Sequence, residues 1–311
     1  MSRDLEVISV NVSQNKGTIK RPVERITIDS NGVVGDAHAG LWQRQVSLLS
    51  QQSIERFSEK MGRKIMPGEF AENLTVAGLD FAAVAVLDRF RFGGVELEVA
   101  QIGKQCHGKG CAIFQQVGQC VMPAEGIFTR VVRGGELTAG ALGKHLPRPL
   151  SFLVLTLSDR AAAGVYEDRS GPRVLELLQN WLAGKRWHGL VETKILPDDA
   201  GRLREEIQRA KTVGVDVVVT TGGTGLGPHD ITPETAAALC DKLIPGIMEN
   251  IRMKFGSAEP NALLSRSIAG VAGNTQIYTL PGSVRAVEEY LGEILKTLEH
   301  AIFMLHGLDT H

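Results

Sequence analysis

The sequence predicts two domains of different class. Residues 1–146 read as a mainly β domain, a β-barrel or curled antiparallel sheet, and residues 147–311 as an α/β domain with a mostly parallel, doubly wound sheet. Three observations carry this. A chain of 311 residues is long enough for roughly two domains at ~150 residues each. Residues 89–99 run Arg-Phe-Arg-Phe, then Gly93-Gly94, then Val-Glu-Leu-Glu-Val, two alternating segments joined by a two-glycine turn, which is a β-hairpin signal. After Pro147 and Pro149 the pattern changes to strands alternating with helices, the signature of a parallel sheet.

The elements follow in chain order. Residues 5–12 and 23–28 alternate polar and apolar side chains at the period of a half-buried strand. A helix is expected over 50–61, where Ile54, Phe57 and Met61 fall three and four apart. In the second half, 152–157 is a continuous apolar strand, 171–182 a helix started by Ser170 with Pro172 in its first turn, and 191–196 a further strand. Residues 202–210 read as a helix and 215–219 as a buried strand. The last strand, 276–280, leads into the strongest helix, with Val287, Leu291, Ile294, Leu295, Leu298 and Ile302 on one face.

Composition excludes several classes. Lys and Arg number 34 against 35 Asp and Glu, so no broad field attracts nucleic acid or anionic lipid. The longest apolar run, 81–87, is far short of the ~20 residues that cross a bilayer. The first residues alternate charge with apolar groups and lack an apolar leader core, so a cytoplasmic protein is expected. Four cysteines, Cys106, Cys111, Cys120 and Cys240, are too few for a disulfide framework in a chain of this length.

The sharpest motif is Val217-Val218-Val219-Thr220-Thr221-Gly222-Gly223-Thr224-Gly225-Leu226-Gly227-Pro228-His229-Asp230-Ile231-Thr232-Pro233-Glu234. It reads as a buried strand, a glycine-rich loop and a helix start, with Thr232 as N-cap and Pro233 at the first helical position. Glycines let backbone N–H groups approach a ligand, and a helix start favours negative charge, so the loop has phosphate-binding character. It is neither a Walker A loop, since no Gly-Lys-Ser/Thr follows, nor a dinucleotide fingerprint, since Pro228 replaces the third glycine. Leu280-Pro281-Gly282-Ser283 repeats the logic between the last strand and the last helix. Asp198 closes the strand before it and Asp230 follows the glycine loop. Two hard carboxylates beside phosphates suit Mg²⁺; the competing reading is that each Asp caps a turn. Cys240 reads as a buried thiol on the helix after Pro233.

These pieces, together with Leu157-Ser158-Asp159-Arg160, Gly164-Val165-Tyr166-Glu167-Asp168, Ser170-Gly171-Pro172, Pro197-Asp198-Asp199, Pro245-Gly246 and Leu264-Ser265-Arg266, closely resemble the MogA/MoaB-type molybdopterin adenylyltransferases of molybdenum cofactor biosynthesis over residues 151 to about 306. The resemblance implies Mg²⁺-dependent transfer of AMP from ATP to the terminal phosphate of molybdopterin, with pyrophosphate released. It makes Asp198 and Asp230 the catalytic, Mg²⁺-binding carboxylates. It also implies that Thr221, Gly222, Gly223, Thr224 and Gly225 cradle phosphates, that Ser158, Pro281, Gly282 and Ser283 complete the pocket, and that the domain forms trimers or hexamers. His229 stands where the family often has Arg. Some family members bind molybdopterin with little catalysis, so a non-catalytic cofactor carrier is the alternative, and a Mg²⁺-dependent nucleotide hydrolase is a second.

In the first half, Cys106, His107, Cys111 and Cys120 form a loose Cys3His set without a C-x-x-C pair, open to three readings: a zinc site, a thiolate activated by Lys104, Lys109 or His107, or buried thiols. Gly32-Val33-Val34-Gly35-Asp36-Ala37-His38-Ala39-Gly40, Arg44-Gln45-Val46-Ser47-Leu48-Leu49, Gly68-Glu69-Phe70-Ala71-Glu72-Asn73-Leu74, the Cys106 segment and Gly126-Ile127-Phe128-Thr129-Arg130-Val131 resemble the MOSC domain. That resemblance implies a domain that binds the cofactor or carries sulfur, with Cys106 as carrier and Cys120 as competitor, although Gly103-Lys104-Gln105 replaces the usual Arg-x-Pro context. His38 either touches a ligand anion or orders its loop. Molybdenum-insertion proteins or molybdoenzymes are the implied protein partners.

Overall fold

The fold comes from a computed structural model, which describes residues 3–105 and 120–308. The chain divides into two compact units, Met1–Arg148 and Pro149–His311.

The first unit is a closed β-barrel. Its strands are β1 (Arg3–Val12), β2 (Arg21–Val23), β3 (Arg25–Asp29), β4 (Gly32–Val33), β5 (Val46–Ser50), β6 (Leu74–Ala77), β7 (Arg89–Phe92), β8 (Val95–Ile102), β9 (Ile127–Arg133), β10 (Gly135–Thr138) and β11 (Leu142–Leu146). The order β11-β7-β8-β9-β5-β6-β1 closes through antiparallel pairing of β1 with β11, and β2 adds to the far end of β1. A second sheet runs β10-β3-β4. Closure removes the edges of the seven-strand ring, and the inward side chains, among them Val7, Leu48, Val76, Phe90, Leu97 and Ile127, form one core. The predicted hairpin is β7–β8: Phe92 faces Val95 across the turn, and Arg89 and Arg91 face Glu98 and Glu96. The expected single strand over 23–28 is two strands, broken at Glu24, because Arg21–Val23 pairs with β1 while Arg25–Asp29 pairs with β10. Helix α1 (Gln51–Met61) ends at left-handed Gly62 and packs Ile54 on a second cluster with Phe70, Met122 and Phe128. A single-turn helix, α2 (Met122–Glu125), precedes β9.

The second unit holds β12 (Leu150–Leu157), α3 (Asp159–Ala162), α4 (Ser170–Ala183), β13 (Gly189–Leu196), α5 (Ala200–Val213), β14 (Val217–Thr221), α6 (Thr232–Ala237), β15 (Lys242–Leu243), α7 (Pro245–Gly256), β16 (Ala269–Ala272), β17 (Thr275–Leu280) and α8 (Val284–Leu305). The sheet order is β13-β12-β14-β17-β16-β15. The first four strands are parallel, and β16 and β15 add antiparallel at one side. Leu153, Leu155 and Leu157 face Leu203 and Ile207 of α5 and Ala236 of α6. The alternate side chains of β12 turn to the other face, where Phe152 meets Trp181 of α4 edge-on and α4 packs against α8. The expected strand over 215–219 lies two residues later, because Val215 still caps α5, its N–H bonding the Ala210 carbonyl.

Register positions the site. Leu157 is level with Leu196, Thr156 with Thr221, and Thr221 with Leu280. Four parallel strands therefore end together, and the segments beginning at Ser158, Pro197, Gly222 and Pro281 leave the same edge of the sheet, where ligands of open α/β sheets bind.

Candidate active site

At that edge a cavity of about 430 Å³ opens, lined by Gly222, Gly223, Thr224, Gly225 and Asp230, by Pro281, Gly282 and Ser283, and by residues of two elements beyond them. Both glycine loops predicted from the sequence thus share one cavity, of a size that suits a small ligand. The first loop needs its glycines: Gly222 has φ +102° and Gly223 φ +63°, left-handed values that side chains resist. A Cβ on Gly223 would sit 2.5 Å from Thr232 Oγ1, and one on Gly225 2.8 Å from Asp230 Oδ2. The loop is pinned from within, as Gly222 N–H donates to Leu280 O and Thr232 N–H to Gly223 O.

The carboxylates are held in place. Asp230 Oδ2 accepts the Gly227 N–H at 2.7 Å, bending 227–230 into a tight turn. Asp198 and Asp159 exchange bonds: Asp198 N–H donates to Asp159 Oδ1 at 3.0 Å, and Asp159 N–H donates to Asp198 Oδ2 at 3.1 Å. Burial pushes the Asp198 carboxyl above its usual range, and the charges of Asp159 and Asp230 push the same way. Asp198 thus stands close enough to Asp230 to feel its charge, yet only Asp230 lines the cavity.

These donors fit the expected Mg²⁺. They are oxygen-only, and carboxylate oxygens suit a hard cation. Among the described residues no three His, Cys, Asp or Glu side chains converge on one point. The protein would supply part of the coordination shell and phosphate oxygens with water the remainder.

Other expected positions are used differently. Ser158 caps α3, its Oγ accepting the Ala161 N–H at 3.2 Å. Thr221 is fully buried and donates to Pro281 O at 3.0 Å, tying the two glycine loops together. Neither lines the cavity. Thr232 is not the N-cap: Ile231 occupies that position, and Thr232 is the first helical residue with Oγ1 buried and unbonded. Helix α4 begins at Ser170 with Arg169 in the N-cap position, and the Asp168 side chain, one residue earlier, accepts the Ser170 and Gly171 N–H groups. His229 is exposed. Cys240 lies beyond the end of α6; its Sγ bonds to Ala236 O, and burial pushes its thiol up to about 11.

Sequence reasoning assigned no role to Arg266, Asn261, Arg285, Glu289 or Tyr290. All but Arg266 line the cavity. One signal was available: Arg285 follows the Ser283 cap in the first turn of α8, where the helix dipole disfavours a cation. Glu289, one turn on, offsets it at 2.8 Å.

In the barrel, Cys106, His107 and Cys111 lie outside the described residues. Cys120 is half-buried against the cluster of Leu49, Ile54 and Phe70. His38 donates its backbone N–H to Asp36 Oδ1 at 3.0 Å, and its ring Nδ1 lies 3.4 Å from the same oxygen.

The family described as "Probable molybdopterin binding domain" matches residues 153–300, and the MOSC domain family matches residues 35–141. The chain is 35% identical over 156 residues to molybdopterin adenylyltransferase of Helicobacter pylori (strain J99), covering 50% of this chain and 86% of that protein. It is 36% identical over 161 residues to gephyrin of Dictyostelium discoideum, covering 50% of this chain and 22% of gephyrin. It is 38% identical over 156 residues to a molybdenum cofactor biosynthesis bifunctional protein of Synechococcus elongatus, covering 50% of this chain and 47% of that protein. The chain therefore spans under half of the two longer relatives and most of the shorter one. With a MOSC domain in its N-terminal half, the chain belongs, through its C-terminal half, to the molybdopterin adenylyltransferase family.

Proposed function

We propose that the chain acts in molybdenum cofactor biosynthesis, its second unit working as a doubly wound α/β adenylyltransferase that moves AMP from ATP to molybdopterin. The observation that carries this reading is the single cavity shared by the two glycine loops, with Asp230 in its wall. A molybdopterin phosphate oxygen attacks the α-phosphorus of ATP, a new P–O bond forms, and the bond to the β-phosphate breaks to release pyrophosphate. No covalent intermediate on the protein is needed.

Backbone N–H groups of Gly223, Thr224 and Gly225 and of Gly282 and Ser283 orient the phosphates, which supplies the positioning and charge stabilisation that phosphoryl chemistry requires. Asp198 and Asp230 would hold Mg²⁺, which when bound offsets charge on the α-phosphate and the leaving group. Asp159 fixes Asp198 by the reciprocal bonds. Ser158 and Thr221 act by shaping the loops. The barrel binds the cofactor or carries sulfur; Cys106 is the proposed carrier on sequence alone, and the packing of Cys120 favours a structural thiol there. A cytoplasmic location goes with this reading, and among the described residues no helix is long and apolar enough to cross a membrane. Assembly into trimers or hexamers, which the resemblance implies, goes with the same reading.

The test is incubation of the full chain with molybdopterin, ATP and Mg²⁺, following adenylylated pterin and pyrophosphate together, beside Asp198→Ala, Asp230→Ala and a sample without pterin. Equal amounts of both products, dependent on pterin and lost in the variants, are expected. Pterin binding with neither product would make the chain a cofactor carrier. ATP consumption without pterin would make it a nucleotide hydrolase.

A further inference from the structure

Arg266 follows the turn Pro260–Leu264, and that turn and its flanks, through Glu259, Asn261, Leu264 and Ser265, form part of the cavity wall. From there it reaches the glycine loop at three points and α6 at a fourth. Its backbone N–H donates to Thr224 O at 3.0 Å, Nε to Gly225 O at 2.7 Å and Nη2 to Asp230 O at 2.6 Å, while Nη1 pairs with Glu234 on α6. The loop leaves the cavity wall after Gly225 and returns at Asp230. Its intervening residues Leu226 to His229 are exposed. Within it, the turn is closed by Asp230 N–H to Gly227 O and Gly227 N–H to Asp230 Oδ2. One guanidinium thus holds both ends of an otherwise solvent-facing loop.

The chemistry of the acceptors decides why this residue is arginine. Two backbone carbonyls and a carboxylate accept only, and they stand at separate places. A planar guanidinium presents five N–H donors in a fixed fork and can meet all three at once, whereas an ammonium is a point charge. Arg266 itself is absent from the cavity lining. Its effect on a reaction must therefore pass through the backbone that presents Asp230.

We propose that Arg266 is the positioning residue of the site: it clasps Gly225 and Asp230 so that the Asp230 carboxylate faces the cavity, and it joins that loop to the wall formed by 259–265. The catalytic consequence rests on the adenylyl-transfer reading; the clasp itself does not. A ligand pressing on the 259–265 wall is mechanically linked to Asp230 through the same side chain.

The experiment compares full-length wild type, Arg266→Lys and Arg266→Ala by steady-state transfer from ATP to molybdopterin with Mg²⁺, and by hydrogen exchange of peptides covering 222–232. Loss of the clasp lowers kcat about 100-fold, the size of effect an ångström-scale misplacement produces, and leaves both KM values within about 3-fold, since substrate contacts are intact. Exchange across 224–232 accelerates while peptides of β12, β14 and β17 keep their protection. Millimolar guanidinium restores part of the activity of Arg266→Ala. Wild-type kcat and exchange in Arg266→Lys would overturn the proposal, as would a raised KM with unchanged kcat, which marks a substrate contact. Faster exchange throughout the unit in both variants would also overturn it, because Arg266 would then be a general structural tie. If the wild type makes no adenylylated pterin, the functional reading has failed, and exchange at 224–232 still decides the clasp.

Discussion

Lys20 Nζ lies 2.6 Å from both carboxylate oxygens of Asp36, and each side chain is about 1% exposed. Asp36 also accepts the N–H groups of Ser13 and His38, so this one carboxylate holds three loop segments at the barrel. A buried pair of this kind is costly to break from one side, because the surviving charge has no water to turn to. Asp36→Asn should destabilise the barrel by ~3–5 kcal/mol, whereas replacing both partners by apolar residues of similar size should cost far less. Urea-dependent hydrogen exchange of barrel peptides in the full chain reads both. Equal losses for the single and double variants would contradict it.

Glu72 introduces a pH dependence into the same unit. It is fully buried; Oε1 accepts from Gly68 N–H and Thr75 Oγ1, and Oε2 has no hydrogen-bond partner. Burial pushes its carboxyl up to about 7, so the folded barrel holds a proton that the unfolded chain releases near 4.5. Stability from this group is fully present below about pH 4.5 and is lost as pH climbs to about 7, by ~3 kcal/mol in all. Glu72→Gln should flatten the decline between pH 5 and 7. An unchanged slope in the variant would place the titration elsewhere.

Much of this was legible before the structure because the signals were local. The hairpin at Gly93-Gly94 and the two glycine loops declare themselves by residue type and spacing, and parallel strands then bring the loops to one edge by register. What was not legible depends on partners distant in sequence. Arg266 meets carbonyls about forty residues earlier, and backbone acceptors leave no trace in a sequence. Lys20 and Asp36 read as ordinary loop charges because burial of a pair is a property of the closed barrel. Thr232 shows the limit of local rules: Thr before Pro is a good N-cap pattern, yet Gly223 O takes the Thr232 N–H and draws the residue into the helix.

Cys240 should be the slow thiol. Its Sγ bonds to Ala236 O, and a thiol pushed up to about 11 is almost wholly protonated at pH 8, while the thiolate is the reactive form. Peptide mapping after brief alkylation of the native protein at pH 8 should find Cys240 unmodified. Its modification as fast as a free thiol would mean that the segment after α6 opens in solution.

Gly222 and Gly223 are adjacent, both left-handed, and should respond differently to alanine. Each substitution pays about 1–3 kcal/mol for the backbone conformation. Beyond that, a Cβ on Gly222 runs into the carbonyl of Leu157, part of the central sheet, which cannot move aside. A Cβ on Gly223 meets Thr232 Oγ1 at 2.5 Å, a side-chain atom that is buried without a partner and so loses little when removed. Gly223→Ala should therefore be partly rescued by Thr232→Ala, a coupling of the kind found only between touching residues, whereas Gly222→Ala should gain nothing from it. Thermal unfolding of the two single variants and the two doubles measures this, with adenylyl transfer read in parallel. Equal behaviour of the two glycines would mean that the loop yields as a whole, and that its shape is set by Thr221 and Arg266 at its ends rather than by the packing beneath it.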